Sequence, residues 1–504
     1  MLKKTILFSL ILIVVAWNIS FSQSIIYKSP MPESRYHNRE TNIIIGFSVP
    51  LTVQQKTIFN IIATGSISGQ HTGTTYFTEN DTKILFYPYT AFEFGDTVTV
   101  LVLPDSIEYE FYVKNALTEP PIHSRVINSE IPINYRTFSK KPESYSSLPD
   151  LPALEIIQSG NTAPGYVFLT NFGMTTGIIS YLMVLENNGT PYFTKQLLYN
   201  TFDFKKQKNG LLTYYEEYNH HYKAINKFGV VSDSFYCGNG YSTDFHECQL
   251  TEDGGAWLMN YDIETVDMSQ IVPGGYTNAQ VTGLVIQKID AQKRVTFQWR
   301  SWDHIPITDA RHINLNASII DAVHGNAIEE DYDGNIMISS RHLDEITKIN
   351  TKTGQIIWRF GGNQNQFTIT NDTTWFSYQH DIRRIDNGNI TLYDNGNFNT
   401  PQESRILEYK LNEIQKTATL VWEYRHDPPI YAFAMGSAQR LPNGNTFISW
   451  GASTTTVTEV TPEGEIVYEM KLPEGEWSYR AFRFEWSLTP TVIEIGRASC
   501  RERV

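Results

Sequence analysis

Five of the eight Asn-Gly or Asp-Gly dipeptides in this chain recur at the same place in a repeat: Asn209-Gly210, Asp253-Gly254, Asp333-Gly334, Asn387-Gly388 and Asn443-Gly444. Such pairs supply the backbone conformations that a tight hairpin needs, and strand-forming residues on both sides make them a strong hairpin signal. A β run follows each dipeptide: GLLTYY, GGAWLMNY, GNIMISS, GNITLYD and GNTFISW. After most of these comes a second pair of runs, as in EITKINTKTGQIIWRF and RILEYKLNEIQKTATLVWEY. A repeat of four short strands is the unit of a β-propeller blade.

Five blades are counted in this way. GYVFLTNFG and SYLMVLENNGTPYFTKQL suggest a sixth, which the late segment YRAFRFEW would complete. Closing the ring with both ends of the repeat region removes exposed sheet edges. The expected fold is all-β: a six-bladed β-propeller over residues 153–493, preceded by a small immunoglobulin-like β-sandwich over residues 23–116. The sandwich is read from TNIIIGFSV, KILFYPY and GDTVTVLVL, short alternating runs separated by turn residues. The Pro- and Ser-rich stretch 117–152 reads as a linker.

The first residues have the anatomy of a secretory signal. Lys3 and Lys4 precede an apolar core from Ile6 to Ala16, and Ser20-Phe21-Ser22 offers a cleavage site. Residues 1–22 are therefore expected to be removed, without a membrane anchor, from a periplasmic or secreted protein. Export permits a disulfide between Cys237 and Cys248. Residues 494–504, EIGRASCRERV, break the β pattern and resemble a translated sequencing adapter. The formal charge of −14 comes with no basic stripe, which argues against nucleic acid as a partner. The sandwich can serve as a spacer or as the surface of a homodimer.

Three histidines occupy matched places in three successive repeats. His246, His324 and His380 precede their turn dipeptides by seven, nine and seven residues. The matched residues in two other repeats are Phe202 and Gly436, and the glycine is expected to open space opposite the imidazoles. First strands of blades line a central channel, so the three imidazoles are expected to converge at one mouth. Asn326, two residues after His324, should face the same side of a strand. Arg341 folds back across the hairpin onto that stretch, and alternation sends His342 away from it. A guanidinium beside imidazoles suits a tetrahedral oxyanion and repels a bound metal cation.

HGNAIE, DGNIMISSRH, QHDIRRIDNGN and YDNGN together resemble the bacterial arylsulfate sulfotransferases, from about Ile25 to Trp486. The resemblance implies an exported six-bladed propeller that moves a sulfuryl group from a phenolic sulfate ester to a phenol, without a nucleotide donor or other cofactor. It implies His380 as the nucleophile, transiently sulfated. His246, His324, Asn326 and Arg341 would be the surrounding anion-binding and acid–base set. The family's cysteine loop near the nucleophile is absent here. Two other classes fit the residues alone: a metalloenzyme using the three histidines, and a non-catalytic binding propeller.

Overall fold

The computed structural model describes residues 24–116, 151–173, 178–226 and 229–487. The expected signal peptide, residues 117–150 of the linker and the C-terminal tail lie outside them. The described chain is almost entirely β, and its one α-helix is the short Val53–Ile58.

Six sheets follow one another along residues 155–484, antiparallel except for the edge strands Ile319–Asp321 in the third and Thr368–Thr370 in the fifth, which pair in parallel. The first joins Tyr166–Thr170, Ser180–Leu185 and Pro191–Leu197 to the distant strand Ala481–Phe484. The second runs from Thr201–Lys206 to Val231–Phe235, and the third from Cys248–Leu250 to Val295–Arg300. The fourth spans Gly325–Glu330 to Ile356–Gly361, and the fifth His380–Arg384 to Thr417–Arg425. The sixth spans Ser437–Arg440 to Ile466–Lys471 and takes Glu155–Ser159 as its outer strand.

The five turn dipeptides connect the first two strands of the second to sixth sheets. Only the glycine of each pair has positive φ, between 75° and 92°. Its N–H returns to the carbonyl three residues back, as from Gly210 to Gln207 at 2.8 Å and from Gly388 to Ile385 at 2.8 Å. The loop is thus a tight turn followed by a left-handed glycine, the three-residue hairpin type. The Asn or Asp side chain accepts the N–H two residues on, as Asn387 does from Asn389 at 2.9 Å and Asp333 from Asn335 at 3.0 Å. Each residue of the dipeptide therefore has its own task in the turn.

The leading strands touch in sequence. Tyr166–Thr170 and Ala481–Phe484 contact Thr201–Lys206; Cys248–Leu250 contacts Gly325–Glu330, which contacts His380–Arg384. Ser437–Arg440 then contacts both His380–Arg384 and Ala481–Phe484, returning to the first sheet. Gln207 joins second to third, donating to Cys248 O at 3.0 Å and accepting from Leu250 N at 3.1 Å. The circuit is closed, and both ends of the region are tied into neighbouring sheets.

The N-terminal residues form two four-stranded sheets enclosing one core. Thr97–Leu103 alternates buried and half-buried positions along TVTVLVL, the mark of a strand with one core face. This unit docks on the outer strand of the third sheet. Tyr27 Oη donates to Gln298 O at 2.7 Å, and Asn42 Nδ2 to Val295 O at 3.0 Å. Arg300 crosses the boundary to Arg35 O at 2.7 Å and to the imidazole of His37. In the same third sheet, residues 261–283 are the far halves of two eleven-residue strands and their connection. Cys237 and Cys248 are both buried free thiols, so the permitted disulfide is not formed. Cys237 instead directs its sulfur at the Met259 carbonyl.

Candidate functional site

His380 opens the leading strand of the fifth sheet and is fully buried. Its Nδ1 lies 2.7 Å from Asn395 Oδ1 and 3.1 Å from Tyr378 O. Asn395 spends its own N–H groups on Ala432 O at 2.9 Å and Met435 O at 3.0 Å, which fixes which way the amide faces. Both atoms meeting Nδ1 are therefore acceptors. This network assigns the proton to Nδ1 and a bare lone pair to Nε2. Nε2 is buried without a hydrogen-bond partner among the described residues. Burial, then the charge of Arg341 and that of His324, hold the imidazole well below its ordinary pKa.

His324 and His246 do not lie within leading strands but one and two residues before them. His324 has φ of 52°, so simple alternation does not link it to Asn326. Its Nδ1 meets Asp321 Oδ2 at 2.5 Å. His246 has the same kind of partner, with Nδ1 against Asp244 Oδ1. The two rings stand edge to face at 5.3 Å, with Tyr261 5.2 Å from His246 and 5.3 Å from His324. The expected convergence is thus present, although each ring is placed by a bend rather than a pleat.

Arg341 begins the turn Arg341–Leu343 after its strand, and its N–H bonds His324 O at 2.8 Å. Its guanidinium lies 3.9 Å from the centre of the Tyr378 ring and donates to Phe433 O at 3.0 Å and to His342 Nε2 at 2.8 Å. His342 was expected to point away. The turn ends strand alternation, and the ring instead lies 4.8 Å from that of His324. Asn326 sits where the strand register shifts, and its Nδ2 donates to Gln379 O at 2.8 Å, next to the nucleophile candidate. Its Oδ1 has no partner among the described residues. Gly436 opens no space: a Cβ there would lie 2.8 Å from Tyr393, the strand partner of His380. All five expected site residues are 4% exposed or less.

Sequence reasoning missed His342, Asp321, Asp244, Asn395 and Tyr378. A signal for two of them was present, because Asp244 and Asp321 stand two and three residues before their histidines. Asp321, His324 and His342 place potential ligand atoms within 4.8 Å of one another, a different trio from the three matched histidines. The fit to a metal is poor. His342 Nε2 already accepts from Arg341, whose charge would oppose a cation in the same cluster.

One residue beyond the histidines lies a buried ionic layer. Arg480 pairs with Asp203 and Glu247 at 3.1 Å and Asp381 at 3.3 Å; Arg383 pairs with Glu247 at 2.6 Å and Asp381 at 2.7 Å. Lys205 completes it, 2.7 Å from Asp203 and also against Glu247. Arg383 is consumed by these carboxylates. Beyond the layer, a cavity of about 880 Å³ opens among the turn residues and includes none of the five site residues. This cavity and the histidine cluster lie toward opposite ends of the leading strands. The buried acid–base cluster is the better guide, because perturbed titratable groups gathered around His380, whose Nε2 has no partner among the described residues, have a chemical use.

The arylsulfotransferase (ASST) family model matches residues 215–472, half of the chain, and the chain belongs to this family. No curated protein matches the sequence. Solved structures resemble it loosely. A protein of unknown function from Bacteroides caccae is 12% identical, with a TM-score of 0.41, over 63% of this chain and 98% of that one. A virginiamycin B lyase from Staphylococcus aureus is 11% identical, with a TM-score of 0.35, over 63% and 88%. A gluconolactonase from Xanthomonas campestris is 11% identical, with a TM-score of 0.33, over 63% and 90%.

Proposed function

We propose that this protein transfers a sulfuryl group from a phenolic sulfate ester to a phenol through a sulfated His380. The observation that carries the reading is the His380 imidazole: buried, tied through Nδ1, and bare at Nε2 among Arg341, His324 and His246. In the first step Nε2 attacks sulfur in line. The N–S bond forms as the S–O bond to the phenolate breaks. Negative charge on the sulfuryl oxygens meets Arg341, and that on the leaving phenolate meets a proton from Nε2 of protonated His324 or His246. As His380 takes the sulfuryl group its Nδ1–H becomes more acidic, and the Asn395 and Tyr378 oxygens accept that N–H. In the second step the acceptor phenol gives its proton to the same base and attacks sulfur, and His380 leaves with its lone pair restored. Two half-reactions of this kind give ping-pong kinetics.

The closed circuit of six sheets supports reading the region as a six-bladed propeller, and the two-sheet N-terminal unit supports the immunoglobulin-like reading. The charged and apolar pattern of residues 1–22 in the sequence supports reading the protein as exported.

The test is turnover of 4-nitrophenyl sulfate with and without phenol, plus the intact mass of protein exposed to donor alone. Phenol-dependent nitrophenol release and a sulfuryl adduct, both lost in His380→Ala, are expected. An adduct that persists in His380→Ala would remove His380 as the nucleophile. Absence of turnover across a panel of aryl sulfates would remove the activity itself.

A further inference from the structure

His342 sits beside the catalytic set, yet no step of the proposed transfer uses it. It is 3% exposed, and both ring nitrogens are engaged. Nδ1 lies 2.7 Å from the Asp321 backbone oxygen, which can only accept. That contact assigns the proton to Nδ1 and leaves Nε2 as an acceptor. Arg341, which can only donate, meets this Nε2 through one terminal nitrogen at 2.8 Å, while its other terminal nitrogen meets Phe433 O at 3.0 Å. The Tyr378 face, 3.9 Å away, sets the plane. Asp321 therefore acts twice: its carboxylate holds His324 and its backbone carbonyl sets the tautomer of His342.

We propose that His342 is a positioning residue, whose neutral imidazole turns the Arg341 guanidinium toward the sulfuryl group. The inference rests on the sulfuryl-transfer reading. A guanidinium is a rigid planar fork, so fixing its two ends fixes where its remaining N–H bonds point. An ordinary buried histidine packed for volume would not need this acceptor.

Three variants separate orientation from packing. His342→Phe keeps a ring and removes the acceptor, His342→Gln returns an acceptor oxygen, and Arg341→Met removes the group being positioned. His342→Phe should lower kcat for aryl sulfate ~10- to 100-fold, the scale of a small misplacement of a catalytic group, with KM for the donor moving less. His342→Gln should recover most of that loss. In the Arg341→Met background, His342→Phe should cost less than about 3-fold more, because the two act as one unit. Wild-type turnover in His342→Phe, a Gln variant as poor as the Phe variant, or an undiminished loss without Arg341 would each overturn the proposal.

Two readouts need no turnover. Nitrogen-15 chemical shifts of His342 should show the proton on Nδ1, and a proton on Nε2 would overturn the proposal. Inorganic sulfate should bind His342→Phe more weakly than wild type or His342→Gln, and equal binding by all three would also overturn it. A wild-type protein inert to aryl sulfates would thus refute the functional reading alone.

Discussion

At the scale of single residues, the chemistry depends on which nitrogen of each imidazole carries a proton. Asn395 makes that choice for His380, because its own N–H groups are anchored and its oxygen must accept. Replacing Asn395 by Leu keeps much of the volume and removes the acceptor. We expect kcat to fall on the order of 100-fold, the scale seen when one preorganised polar contact to a charged transition state is lost. Rapid-quench measurement of sulfuryl-enzyme formation checks this, and an unchanged rate would sink it. The pH dependence follows from the same surroundings. Burial first, and Arg341 second, depress the pKa of His380, so the lone pair is present at neutral pH and well into acid. If His380 is the nucleophile as proposed, its acid limb in kcat/KM for the donor should therefore fall far below pH 6.5. Arg341→Met should raise its midpoint only partly, since burial is the larger cause. The sequence made the three matched histidines legible because a repeat marks equivalent places. It hid His342 because alternation was carried across Ser340, where the strand becomes a turn.

At the scale of elements, the turns and their strands were the most legible part of the chain. A left-handed glycine and an Asx-bonded neighbour are local requirements that leave a local trace. Long-range additions leave none, which is why Glu155–Ser159 as an outer strand of the sixth sheet was not foreseen. The strand Ala481–Phe484 is a different case, since its alternating aromatics marked it as the partner that the first sheet lacked. Just before it, fully buried Arg480 reaches Asp203 in the second sheet, Asp381 in the fifth, and Glu247 on the approach to the third. It also donates to Asn326 O in the fourth at 2.6 Å. Arg480→Met would strand three buried carboxylates with Lys205 and Arg383 alone. Removing one member of such a network typically costs about 3–5 kcal/mol. Urea unfolding should show a loss of this size, and a loss under about 1 kcal/mol would mean that the strand, not its arginine, closes the circuit.

At the scale of the molecule, the N-terminal sandwich and the third sheet share a buried polar boundary whose charge is not settled at neutral pH. Glu264 is 4% exposed and lies 3.3 Å from Lys114 of the sandwich; Asp262 is 4.0 Å from the same lysine. Burial first, then the Asp262 carboxylate, push Glu264 up to about 7, with Lys114 and Arg300 opposing them. A carboxyl group whose folded pKa lies above its unfolded value binds more protons when folded. It favours the folded state at low pH, and that contribution disappears as pH rises through about 7. Glutamine at this position stays neutral throughout. Glu264→Gln should therefore match wild type below about pH 4.5 and gain on it as pH rises toward 7. The gap should stop growing where the folded group has lost its proton. Chemical denaturation across this range reads the difference, provided the sandwich and sheets unfold together. A stability gap constant with pH would show that Glu264 is already ionised in the folded protein, paired with Lys114. The boundary would then be a fixed ion pair rather than a contact that loosens above neutrality.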